Sequence, residues 1–229
     1  MKRPFIDCLH VCILIAMGTG LLSGCAQIPF THYYTFDPDA IGELPASASP
    51  APVVLAIGTF EADIPYKQDR IVFRASPYEV GFYEYHKWLR PLTELVSDTI
   101  VQMGKASDFF TRVHGQAFQV AADYILVGTI TMFDRWNSAP PSDNTQGSAA
   151  SPGDRSPEND ASSLVRIRIT YQLLDAYGEQ ILWMDSIDST AVVSELETVV
   201  TTVRSFEAAL HVNIQQALET VHDVVSRQP

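Results

Sequence analysis

Cysteine is scarce in this chain, and its three copies all fall within the first 25 residues, at Cys8, Cys12 and Cys25. A disulfide framework or a cysteine-based metal site therefore has nothing to build on in the rest of the sequence. Other chemical signatures are missing too. None of the six histidines stands in a His-Glu-x-x-His arrangement or at metal-ligand spacing, and there is no Gly-x-Ser-x-Gly elbow and no phosphate-binding Walker loop. The acidic residues are scattered, so no pair stands out as an acid/base couple. No catalytic residue, metal ligand or cofactor is assigned, and the chain is expected not to be an enzyme. Basic side chains are few: 15 Lys and Arg against 27 Asp and Glu, a net charge of −12. Nucleic acid is excluded as a partner, because its affinity comes largely from cationic contacts to phosphate. Charge-driven coating of an anionic bilayer is excluded for the same reason. Long apolar runs are missing as well. The stretch from Cys8 to Leu22 has 15 residues interrupted by His10, Gly18 and Gly20, short of the about 20 needed to span a bilayer.

What that stretch does resemble is a secretory leader. Lys2 and Arg3 precede it and small residues close it. Its ending, Leu22-Ser23-Gly24-Cys25, matches a bacterial lipobox, in which cleavage falls before a cysteine that carries diacylglycerol. Residues 1–24 are thus expected to be a lipoprotein signal peptide and Cys25 the lipid-attachment residue. Each buried methylene contributes about 0.8 kcal/mol of membrane affinity, so the several acyl chains, palmitate among them, that such a cysteine carries make a durable anchor. Ala26 is not the aspartate that tends to retain lipoproteins at the inner membrane, which favours the outer membrane, facing the periplasm. Removal of the leader takes Lys2, Arg3 and Asp7, so 15 and 27 become 13 and 26 and the net charge becomes −13.

Residues 25–52 are expected to be a lipidated tether and linker. They contain a Tyr33-Tyr34-Thr35-Phe36 segment of β composition and then a Pro/Ala/Ser stretch from 37 to 52. A domain is expected over 53–229. Its strands are Val53–Ile57, Arg70–Arg74, Phe109–Val113, Asp123–Phe133, Ser163–Asp175 and Gln180–Thr190. In Ser163–Asp175, Val165, Ile167, Ile169, Tyr171 and Leu173 alternate with Arg166, Arg168, Thr170 and Gln172, the pattern of an antiparallel sheet with one wet face. Arg166 and Arg168 therefore read as a solvated strand face. Leu92, Leu95, Val96, Thr99, Ile100 and Met103 recur at helical spacing behind Pro91, which suits a first helical turn. A second, longer helix is expected from about Glu197 to Arg227, with His211 and His222 facing water. Residues 137–163, rich in Asn, Ser, Pro, Asp, Gly and Ala, are expected to be a disordered insertion at a hairpin tip. The sum is an α+β domain of two layers, a mostly antiparallel sheet covered by two helices.

The run Tyr78–Trp88 is dense in aromatics. Large rings can serve as core or as a contact surface, and alternation would let one strand do both. Tyr78, Tyr83, Tyr85, His86 and Trp88 are the partner-binding candidates.

This run, Arg70-Ile-Val-Phe-Arg-x-x-Pro-Tyr-Glu-Val-Gly-Phe-Tyr-Glu-Tyr-His86-Lys-Trp88 followed by Pro91, resembles the signature of the ABC-type transport auxiliary lipoprotein family, which includes the lipoprotein of the paraquat-inducible Pqi system. The Tyr33–Phe36 segment behind the lipobox is similar as well; the 137–163 insertion is not. The resemblance implies an accessory subunit of an MCE-type ABC transport system that moves lipid or another apolar solute across the envelope and supports membrane integrity. Its implied partners are an MCE-domain protein and the ABC permease and ATPase of the same system. A second copy of this chain is a further candidate partner. An outer-membrane scaffold lipoprotein that activates a cell-wall synthase is the alternative, since it can share the architecture.

Overall fold

A computed structural model of the protein describes residues 29–40, 50–115, 121–136, 163–193 and 198–228. The expected signal peptide and Cys25, and the expected insertion except for Ser163, lie outside the described residues. Contacts divide the chain into Met1–Phe30, of which two residues are described, and a domain over Thr31–Pro229. Among the described residues no helix is long and apolar enough to cross a membrane.

The domain is α+β, as its periodicities predict, and its described residues form eight strands in one mixed sheet. In chain order the elements are β1 (His32–Tyr34), β2 (Ala51–Ala62), β3 (Arg70–Ser76), β4 (Glu79–Trp88), α1 (Leu92–Ala106), β5 (Phe110–Gly115), β6 (Tyr124–Trp136), β7 (Leu164–Asp175), β8 (Ile181–Val192) and α2 (Val199–Ser226).

Strand β6 is the spine. Along one edge it pairs antiparallel with β7 from Tyr124↔Asp175 to Trp136↔Leu164, and β8 continues beyond β7. Its other edge is shared. Parallel β2 occupies the first half, from Leu55↔Tyr124 to Ala62↔Ile130, and parallel β3 the last two positions, Phe73↔Arg135 and Arg74↔Trp136. The sheet therefore forks, with β2–β5 at one end and β3–β4–β1 at the other. The fork has a local cause. Pro65 lies in a 3₁₀ turn, Ile64–Tyr66, that carries the chain off β2, and the Asp63 N–H donates its last ladder-like bond to the Ile130 carbonyl at 2.9 Å. One residue later β6 itself slips register against β7, between Ile130 and Met132. An extra residue of this kind bends and twists a strand, which frees the edge that β3 takes. Four ladders are parallel, but the two long ones, β6–β7 and β7–β8, are antiparallel hairpin pairings of the kind the alternation foretells.

Both helices pack on one face of the sheet. In α2 the stripe Val203, Phe206, Leu210, Ile214, Leu218, Val221 and Val225 is buried and meets the inward residues of β7, Val165, Ile167, Ile169, Tyr171 and Leu173, all at most 1% exposed. Thr198 caps the helix, its side chain accepting from the Thr201 N–H at 3.1 Å. A polar pair lies in the core under the helix. The Tyr171 hydroxyl donates to Asn213 Oδ1 at 2.8 Å, and Asn213 Nδ2 donates to the Ile187 carbonyl at 2.8 Å. Burial pushes the Tyr171 phenol far up, so it stays a neutral donor. Helix α1 starts directly after Pro91, with Glu94 in its first turn and Lys105 in its last, both suited to the helix dipole.

Two expectations change. The tether does not run free to residue 52. His32–Tyr34 adds strand β1 to the outer edge of β4, Phe36 is buried at 8% exposure, and β2 starts at Ala51. Neither helix histidine simply faces water. His222 rests against the rings of Phe109 (centroids 5.4 Å) and Phe110 (6.2 Å), and burial lowers the His211 pKa.

Candidate partner-docking surface

The aromatic run forms a β-hairpin arm. Strands β3 and β4 close at Ser76↔Glu79, leaving Pro77 and Tyr78 as the turn. Ser76 Oγ accepts from the backbone N–H groups of Tyr78 at 3.3 Å and Glu79 at 3.1 Å, the local side-chain bonding that favours serine in turns. Tyr78 stands out from this tip at 97% exposure. Its neighbour Gly81 has a structural reason to be glycine: a β-carbon there would lie 2.3 Å from Phe73 Cζ. The Phe73 ring lies over the bare backbone of the partner strand and fills the place of a missing side chain.

Between the exposed tip and the buried root the run is half-buried, apart from the exposed Glu84. Phe82 lies beneath the Arg70 guanidinium, 4.6 Å from ring centroid to Cζ. The Tyr83 hydroxyl accepts from Arg135 Nη1 at 2.8 Å, and its ring contacts Phe73 at 5.1 Å and stands edge-on to His86 at 6.0 Å. His86 stacks on His32 at 5.3 Å, and its Nδ1 shares a hydrogen bond with the Tyr34 hydroxyl at 2.8 Å. Burial, and secondarily the nearby His32, lower the His86 pKa. Tyr85 is half-buried.

Trp88 corrects its expected role. It is 3% exposed and packs against Phe36 (5.4 Å), Phe133 (5.9 Å) and Phe206 (5.9 Å). A partner cannot reach it; it is the point where the arm is riveted into the core. The structure thus places Tyr78 fully outside, Tyr83, Tyr85 and His86 at half depth, and Trp88 inside.

Two features escape sequence reasoning. The first is β1. Its Tyr33 is 59% exposed and pairs in register with Lys87, so it extends the same edge. The β composition of Tyr33–Phe36 was the available signal, but nothing local names β4 as its partner. The second is Asp134, on the sheet face opposite the helices and yet fully buried. Its carboxylate accepts from the Tyr66 hydroxyl (2.9 Å) and Arg74 Nε (2.7 Å) on one oxygen, and from Arg166 Nε (3.1 Å) and Nη2 (2.8 Å) on the other. Arg166 is accordingly not a simple solvated residue. Arg168 is closer to that expectation, an exposed residue paired with Asp188 across the strand at 2.6 Å. Among the described residues no three His, Cys, Asp or Glu side chains gather as a metal site.

No family profile matches the sequence, and no curated protein matches it. Solved structures do share the fold. A protein of family DUF330 from Xanthomonas campestris superposes with a TM-score of 0.62 at 15% identity, over 86% of this chain and 98% of that one. An uncharacterized protein superposes with a TM-score of 0.52 at 12% identity, over 85% and 98%. The near-complete coverage of both says that the forked sheet with two helices on one face is a recurring whole domain.

Proposed function

We propose that this chain is a lipid-anchored, non-catalytic accessory subunit of an MCE-type ABC transport system, tethered through acyl chains on Cys25 to the outer membrane and facing the periplasm. In this reading it works by docking, without cofactor, beside an MCE-domain protein and the permease and ATPase that supply energy. The observation that carries the reading is the arm. The run that resembles the transport auxiliary signature, Arg70–Trp88, is one hairpin, fixed at its root by Trp88 and presenting Tyr78 at its tip. An aromatic residue held out from a rigid root on an acidic protein is the form of an interface anchor. The lipobox supports the localisation, because a domain strand starts only seven residues after Cys25. At roughly 3.5 Å per residue the domain then stands within about 25 Å of the lipid.

The test is photo-crosslinking in cells, with a crosslinker at position 78 and a control at Tyr177, which is 86% exposed in the β7–β8 turn. The expected result is capture of an MCE-type protein from position 78 and not from 177. Equal capture from both, or from neither, removes the arm as the docking element. Capture of a cell-wall synthase from position 78 replaces the transport reading with the scaffold one.

A further inference from the structure

Asp134 is held by more positive charge than it needs. One arginine neutralises a buried carboxylate; here Arg74 of β3 and Arg166 of β7 reach it from the strands on either side of β6. With the Tyr66 hydroxyl, its oxygens receive four hydrogen bonds. That matches the about four lone-pair positions a carboxylate offers. Asp134 can accept nothing further, and the cluster retains one net positive charge.

The unused donors are specific. Arg74 spends only Nε on Asp134, and Arg166 spends Nε and Nη2. The Arg74 guanidinium also lies within hydrogen-bonding reach of the Tyr66 oxygen, which occupies part of its donor set, and no described side chain accepts from Nη1 of Arg166. Both side chains remain partly open to solvent, at 21% and 25%. Neither is free to swing away. The shared carboxylate pins both guanidiniums, and the Trp136 ring lies against Arg166 at 4.3 Å. Two like charges held together repel one another, so a fixed pair with outward donors is poised for an anion. A planar carboxylate is satisfied by one guanidinium fork. Donors from two separate guanidiniums on different strands suit an oxyanion whose oxygens point in three dimensions. In register beyond Arg166 the same face continues through Trp136, Leu164 and Val192, the last 67% exposed.

We infer that Arg74 and Arg166, held by Asp134, form a binding site for a phosphate-class oxyanion on the sheet face opposite the helices. The net charge of the protein is strongly negative, so nonspecific attraction of such groups to the rest of the surface is weak. The inference does not depend on the transport reading. The source of the oxyanion, a lipid headgroup or free phosphate, is read from the probes.

The experiment is titration of the full acylated chain in neutral maltoside detergent with inorganic phosphate, dihexanoyl phosphatidylglycerol and glutarate. The expected result is saturable binding of the phosphate-bearing probes and weaker binding of glutarate. R74Q and R166Q should each lower phosphate affinity by tenfold or more. R168Q removes the same charge two residues away and should leave affinity within twofold. Should a glutamine variant fail to fold, R74K and R166K keep the charge beside Asp134 and lose the planar fork; each should still bind several-fold more weakly. Phosphatidylglycerol tenfold tighter than phosphate identifies a headgroup, and equal affinities identify the free oxyanion. No saturable binding, glutarate bound as tightly as phosphate, R168Q as damaging as R166Q, or wild-type affinity in both lysine variants overturns the site.

Discussion

The two ends of the β3–β4 arm are built from the same kinds of residue and do opposite things. At the root, Trp88 is enclosed by three other aromatic rings and hardly touches water. At the tip, ten residues earlier, Tyr78 is almost wholly exposed. Composition does not separate them. What separates them is where β4 meets its neighbours: its end lies between β1 and the core under α2, while its start projects past the last β3–β6 pair. Aromatic density in a sequence therefore marks an element worth attention without telling which rings are core.

The comparison breaks first at the root. Trp88→Ala should cost about 3–5 kcal/mol, the range for emptying a large aromatic site. A melting curve should fall by roughly 10 °C, at about 2–4 °C per kcal/mol for a domain of this size. Tyr78→Ala should leave the melt unchanged within about 0.5 kcal/mol, as for a surface change. Equal losses in the two variants would mean that the tip also packs.

Midway along the arm, Gly81→Ala should be intermediate. The added methyl must displace the Phe73 ring, and overpacking of this sort costs about 1–3 kcal/mol. Hydrogen exchange of the β3 and β4 amides should accelerate while that of β7 does not. A uniform loss of protection across the sheet would show that the arm cannot open by itself.

The smallest effect concerns pH. Burial lowers the pKa of His86 in the arm and of His211 on α2. The unfolded chain therefore takes up protons on these groups at higher pH than the folded one. Their contribution to stability is complete above the ordinary histidine value of 6.5 and is lost as pH falls from there through the lowered folded values. The melting temperature should drop between pH 7 and 5. His211→Gln should shrink that drop, and His86→Gln should shrink it at the arm alone, as read by exchange of β4 amides. A drop that neither variant reduces assigns the acid sensitivity to other groups.

Much of this was open to a reader of the sequence. The period-two alternation of Val165 to Leu173 made β7 a strand with one buried face, because a sheet residue's side is set by parity alone. The three-to-four spacing of Val203, Phe206, Leu210 and Ile214 made α2 a helix with one apolar stripe. These are local properties, and the α+β architecture follows from adding them. The candidate surface was half legible: the run Tyr78–Trp88 stood out, but its depth gradient did not. The fork was not legible, because it arises from a 3₁₀ turn after β2 acting together with a slip in β6 nearly seventy residues later. Nor was the pairing of His32–Tyr34 with β4, since the two strands lie far apart in the chain and no local pattern names one as the partner of the other.

Asp134 marks the boundary most clearly. Read along the chain it is one acidic residue near the end of a strand, and Arg74 and Arg166 lie 60 and 32 residues away. The sequence alone determined which residues could be strand, helix, anchor or contact, because those depend on neighbours three or four positions apart. Only the tertiary structure decided that β6 would hold β3 and β7 on its two edges. That pairing removes the carboxylate from water, and a desolvated charge must find opposite charge within hydrogen-bonding distance. The partners it found come from two distant strands, and no local pattern could have named them.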